Sequence, residues 1–220
     1  MLKEPYNQRL FSGGLRKWLH EGRFAWLHRE TKNLSGSVLE VGCYDCRSLD
    51  YLAFTPTRYV GIDANWEGGL NLARQRHPDL QLIESSDPGA ISGKFDCVIS
   101  LETLEHVPRQ QLLDYIEALA KAAPLALISV PVEIGPVFAV KQLVRPDNSY
   151  KYSLKEYICS TLGMTEHVKQ DDHKGFNFVW FLKQLSNYYD IEKVSGIPFP
   201  LPAILSFGVG IRCRSRFFQG

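Results

Sequence analysis

The chain has 220 residues, 45% hydrophobic and 22% charged, which describes one globular domain and excludes disordered, collagenous and coiled-coil chains. Twenty-five Lys and Arg against 24 Asp and Glu leave a formal charge of +1, so no strong field advertises nucleic acid or an anionic membrane. The first residues lack the apolar stretch of a signal peptide, and no apolar run reaches the ~20 residues of a membrane span.

Residues 1–35 read as a helical, aromatic-rich leader carrying Leu10, Phe11, Leu15, Trp18, Leu19, Phe24, Trp26 and Leu27. Five apolar runs follow, at 38–41, 59–62, 80–83, 95–99 and 125–130, each bounded by turn residues. Each has strand length and almost continuous hydrophobicity, as strands covered on both faces do. Helix-length segments separate most of them. The clearest follows Pro108, where Leu112, Ile116 and Leu119 recur at helical spacing; Pro108 suits a first turn and Pro124 marks the end. The alternation lapses over 132–172, which reads as a lid-like insertion. Helix returns at 178–185. Two strands follow, at 189–194 and 207–213, and their short connection makes them antiparallel neighbours. Arg212, Arg214 and Arg216 alternate along the last one and read as the solvated face of an edge strand. Strands alternating with helices predict an α/β, doubly wound parallel sheet in a single domain over 1–220.

Chemistry concentrates where strands meet turns. The run Val38-Leu39-Glu40-Val41-Gly42-Cys43-Tyr44-Asp45 takes a buried strand into a tight turn, with a helix expected next through Leu49, Leu52 and Ala53. Such a junction offers free backbone N–H groups, and nucleotides bind there in open α/β sheets. The second strand ends at Asp63, an acid placed to accept hydrogen bonds from both ribose hydroxyls of an adenosine. Cys43 and Cys46 have Cys-x-x-Cys spacing, but a second pair for zinc is missing, so they read as packing residues of the turn. Five cysteines, an odd number in a chain able to bury a core unaided, fit a reducing cytoplasm.

The fourth run continues as Ser100-Leu101-Glu102-Thr103-Leu104-Glu105-His106-Val107-Pro108. With Glu40-Val41-Gly42-Cys43 and Gly61-Ile62-Asp63-Ala64-Asn65, it resembles the class I S-adenosylmethionine-dependent methyltransferases, in particular a small bacterial and archaeal group often labelled type 11. The likeness runs from about Val38 to Val130 and weakly through the last two strands. It implies a Rossmann-like, seven-stranded sheet of order 3-2-1-4-5-7-6 with strand 7 antiparallel, and S-adenosylmethionine as cofactor. The Gly-x-Gly-x-x-Gly of a nicotinamide enzyme is absent.

By the same resemblance, Gly42 and its turn face the methionine moiety, Asp63 and Ala64 the ribose, Asp87 the adenine, and Leu101 the substrate side of the cofactor. Tyr44 and Cys46 stand where the family usually has glycines, so Tyr44 must turn its ring outward or wall the cofactor. Glu102 and His106 are the candidate catalytic pair. Glu102, Glu105 and His106, with His173 downstream, also resemble a metal-binding pattern of ubiquinone-pathway O-methyltransferases and small-RNA 2′-O-methyltransferases. The bland alternative has His106 orienting the next helix. The expected reaction is methyl transfer to the O or N of a small molecule. The alternatives are a non-catalytic Rossmann-like binding protein and a metal-assisted RNA 2′-O-methyltransferase. Leader and insertion are expected to cover the cleft at the carboxyl ends of the strands.

Overall fold

The computed structural model describes residues 14–144, 152–169 and 174–218. Within them the strands are β1 (Ser37–Val41), β2 (Arg58–Asp63), β3 (Gln81–Glu84), β4 (Cys97–Leu101), β5 (Leu125–Pro131), β6 (Tyr189–Ile197) and β7 (Gly208–Ser215). They form one sheet of order β3-β2-β1-β4-β5-β7-β6. β1 to β5 pair in parallel, and β7 runs antiparallel between β5 and β6. This is the order the resemblance implies. It corrects one detail: β7 is an inner strand and β6 the edge. Arg212 and Arg214 are paired with Glu192, and Arg216 with Asp190.

The helices are α1 (Gly14–Thr31), α2 (Gly69–Arg76), α3 (Arg109–Ala122), α4 (Gly135–Val144), α5 (Leu154–Thr161) and α6 (Phe178–Leu185). Strand side chains alternate between two apolar layers. Leu39, Val98, Ala126 and Ile128 join one core with Leu112 and Ile116 of α3 and Phe178 and Phe181 of α6. Val38, Cys97, Ile99 and Leu127 join the other with Phe24, Trp26 and Leu27 of α1 and Leu70 of α2. Both faces being covered, the strand sequences are apolar without alternation.

The helix expected after β1 is not there. Residues Arg47–Tyr51 make a 3-10 segment instead. Cys46 ahead of it is left-handed (φ 57), and Pro56 biases Thr55 away from helix, leaving too short a stretch to nucleate one.

The leader differs from a separate cover. Most of α1 is the layer over one face of the sheet. Trp26 is buried against β7, where a Cβ on Gly210 would lie 2.2 Å from the indole. Its lower end is tied by Lys193 and Arg212 to Glu30 and by the Ala53 N–H to Thr31 Oγ1 (3.1 Å). Its upper turns reach the carboxyl rim, where Gly22 meets Pro198 and Trp18 packs on Phe199 with ring centroids 4.9 Å apart. The described parts of the insertion stand beyond β5. Lys141 of α4 donates to the carbonyls of Val132 (2.8 Å) and Phe207 (2.9 Å) and pairs with Glu133, and Phe138 packs on Tyr152 and Tyr157. No described helix is long and apolar enough to cross a membrane.

Candidate active site

Strand order reverses between β1 and β4, and open α/β sheets bind ligands outside the carboxyl ends at that point. Gly42 follows β1 there. Its φ is +77°, and a Cβ on it would lie 1.9 Å from Thr103 Oγ1, in the loop after β4. Positive φ and close approach of a second loop together demand glycine. The N–H groups of Gly42 and Cys43 both donate to the Ile62 carbonyl (2.7 and 3.3 Å), so the turn is anchored on the end of β2.

Asp63 ends β2 beside this turn. Its Oδ2 accepts the Tyr44 N–H (3.0 Å) and its Oδ1 the Asn65 N–H (2.7 Å). Each carboxylate oxygen has further acceptor capacity, so the group is oriented without being used up. Ala64 lies half-buried next to it. Tyr44 and Cys46 adopt the left-handed backbone without being glycine (φ 46° and 57°), at roughly 1–2 kcal/mol each. The Tyr44 ring is turned against Gly69 at the start of α2, where a Cβ would lie 2.4 Å from the ring. Cys43 and Cys46 are buried in the core beneath the turn.

Glu40, inside β1, is a support that the sequence reading did not single out. It is buried and accepts hydrogen bonds from Ser48 and Tyr59, which ties the turn's far side to β2. Burial pushes its carboxyl up to about 7, against the pull of those two hydrogen bonds. Its signal was a carboxylate within an otherwise apolar strand.

Asp87 is exposed and caps the 3-10 turn Pro88–Ala90, its Oδ1 accepting the Gly89 N–H at 2.8 Å. Leu101, the last residue of β4, is buried on the α1 side. Glu102 follows in the left-handed conformation (φ 49°). Arg23 of α1 donates to its Oε2, and His20 Nδ1 stands 3.7 Å from the same oxygen. These partners lie about eighty residues away in the chain, and sequence spacing gave no hint of them. Glu105 is buried, and burial pushes its carboxyl up to about 8. Its Oε1 lies 4.0 Å from His106 Nε2 in the 3-10 segment Leu104–His106.

Among the described residues no three potential ligands converge on one point, and Glu102 faces the Arg23 guanidinium. Asp172 and His173 lie outside the described residues. An adenosine-bearing cofactor fits the switch point better, because the oriented carboxylate of Asp63, with acceptor capacity to spare, stands beside the tight Gly42 turn.

A methyltransferase domain family profile matches residues 12–149. No curated protein matches the chain in sequence. Among solved structures, an S-adenosylmethionine-dependent methyltransferase from Clostridium acetobutylicum is similar at TM-score 0.66 and 11% identity, covering 96% of each chain. The N-methyltransferase NodS from Bradyrhizobium japonicum, in complex with S-adenosyl-L-homocysteine, aligns at TM-score 0.58 and 14% identity over 97% of this chain and 93% of that one. The methyltransferase domain of a bacterial Hen1 aligns at TM-score 0.60 and 16% identity over 89% of this chain and 99% of that one. At these identities the structures establish the fold, while the profile spans more than half of the sequence. The chain therefore belongs to the methyltransferase domain family, and its fold is that of the S-adenosylmethionine-dependent methyltransferases among these structures.

Proposed function

We propose that the chain transfers a methyl group from S-adenosylmethionine to the oxygen or nitrogen of a small molecule. The observation that carries the reading is Asp63. Two backbone N–H groups aim its carboxylate beside the Gly42 turn at the switch point. In this reading Asp63 holds the ribose hydroxyls, Ala64 lies alongside, the Gly42–Tyr44 turn takes the methionine end, and Leu101 borders the acceptor side. In the same reading Asp87 meets the adenine amine with the oxygen that does not cap its own turn. The donor, when bound, supplies a methyl already activated on a sulfonium. The protein's share is to align the acceptor, exclude water and take up the acceptor's proton. In this reading the upper turns of α1 supply cover on one side of the cleft. Glu102 and His106, past the end of β4, stand on the acceptor side. All five cysteines are thiols, in keeping with a reducing cytoplasm.

Calorimetric titration with S-adenosylhomocysteine tests the reading. Micromolar binding, about −7 to −8 kcal/mol, is expected; no binding at millimolar ligand overturns it. Transfer from a methyl-labelled donor to a panel of phenols, aliphatic alcohols and primary amines then tests the acceptor class.

A second reading, 2′-O-methylation of RNA, draws on the Glu102-x-x-Glu105-His106 order and the likeness to the Hen1 domain. Two observations favour the small acceptor: Arg23 sits on Glu102, and Arg212, Arg214 and Arg216 are paired with carboxylates rather than forming a phosphate track.

A further inference from the structure

Transfer to a hydroxyl or an ammonium requires the acceptor to lose a proton, so the reading above calls for a base near the transferred methyl. Glu102 is the first residue past β4, on the border of the switch point, and its left-handed backbone sends the carboxylate to α1. There it meets two side chains three residues apart, hence on one helix face: Arg23, which donates to Oε2, and His20, whose Nδ1 is 3.7 Å from that oxygen. The three are screened but reachable, with side-chain exposures of 10% for Arg23, 20% for Glu102 and 25% for His20. A charged carboxylate facing one ring nitrogen fixes the tautomer with the proton on that nitrogen and leaves the basic lone pair on the other. The 3.7 Å separation is longer than a hydrogen bond, as catalytic contacts often are before substrate is bound. Beside His106 stands Glu105, a buried carboxyl that burial pushes up to about 8.

We propose that His20 is the acceptor-side general base of this enzyme, oriented by Glu102, which Arg23 holds in place as a positioning residue. As the acceptor oxygen or nitrogen forms its bond to the methyl carbon, its proton passes to His20 Nε2. The carbon–sulfur bond breaks with its electron pair kept by sulfur, giving S-adenosylhomocysteine. The positive charge lost from the sulfonium reappears on the imidazolium, which faces the Glu102 carboxylate. Among the described residues, Glu102 is the carboxylate that meets both His20 and Arg23.

The test uses the full chain, a methyl-labelled donor and whichever phenol, alcohol or amine of the panel the wild type methylates. His20→Gln should lower kcat about 100-fold and abolish the acid limb of the kcat–pH profile, with the Kd for S-adenosylhomocysteine within twofold of wild type. Glu102→Gln, a second variant that keeps the helix surface intact, should lower kcat about tenfold, again with little change in that Kd. A His20→Gln enzyme with wild-type kcat overturns the inference alone, and loss of turnover in His106→Gln beside it assigns the base to His106. If nothing in the panel is methylated while S-adenosylhomocysteine still binds, the acceptor class fails and the inference falls with it.

Discussion

A single methyl group added at Gly42 would occupy the space of the Thr103 side chain and force a positive φ on a residue that resists it. Gly42→Ala should therefore lose S-adenosylhomocysteine binding at least tenfold and lower the melting temperature; adding Thr103→Ala should recover part of the stability, read by calorimetry and thermal melts. Asp63→Ala removes the acceptor for two backbone N–H groups and, on the proposed reading, for the ribose, and should weaken the same binding by about 1–3 kcal/mol. Unchanged affinity would place Asp63 outside the site. Glu105 makes the opposite kind of prediction. Its folded-state pKa of about 8 lies above the ordinary 4.5, because burial penalises the charged form. Between those values the native state binds the proton and the unfolded chain does not, so stability is greatest below about pH 4.5 and falls as the pH rises toward 8. Glu105→Gln should flatten that decline. Melts at pH 5 and pH 8.5 that show the same slope in both proteins would contradict the burial argument.

At the scale of elements, α1 behaves as part of the core. Trp26→Ala would leave a cavity over Gly210 and should cost about 3–5 kcal/mol, measured by denaturant unfolding. A cost under 1 kcal/mol would make the helix a removable cover after all. The strands were legible because burial on both faces leaves unbroken apolar runs, and Gly42 and Asp63 were legible because they sit where such runs stop. The missing helix after β1 was not. Leu49, Leu52 and Ala53 have helical spacing, but Ser48 is held by Glu40 and Pro56 cuts the stretch short. Nor could sequence show His20 and Arg23 beside Glu102. This leader reads as helical and aromatic-rich, and only the packing of α1 across β5 and β7 sets which of its polar residues reach the rim.

For the whole molecule, one continuous sheet with apolar layers on both faces makes local and global stability hard to separate. The proposed cofactor site spans the turn after β1, the end of β2 and the loop after β4, which hold one another, so opening any of these strands would dismantle it. Ligand binding is thereby coupled to unfolding of the entire sheet rather than of one loop. A ligand present at 100 times its Kd and bound only by the native state adds about 2.7 kcal/mol. For a chain of this size that is roughly 5–10 °C in Tm. S-adenosylhomocysteine at that excess should therefore raise the melting temperature by about this amount, in a single transition seen alike by far-UV circular dichroism and tryptophan fluorescence. In Asp63→Ala the shift at the same ligand concentration should shrink to a few degrees. A ligand that binds by calorimetry yet moves only the fluorescence transition would mean that the site lies on a unit unfolding apart from the sheet, and the coupling argued from the Gly42–Thr103 and Tyr44–Asp63 contacts would fail.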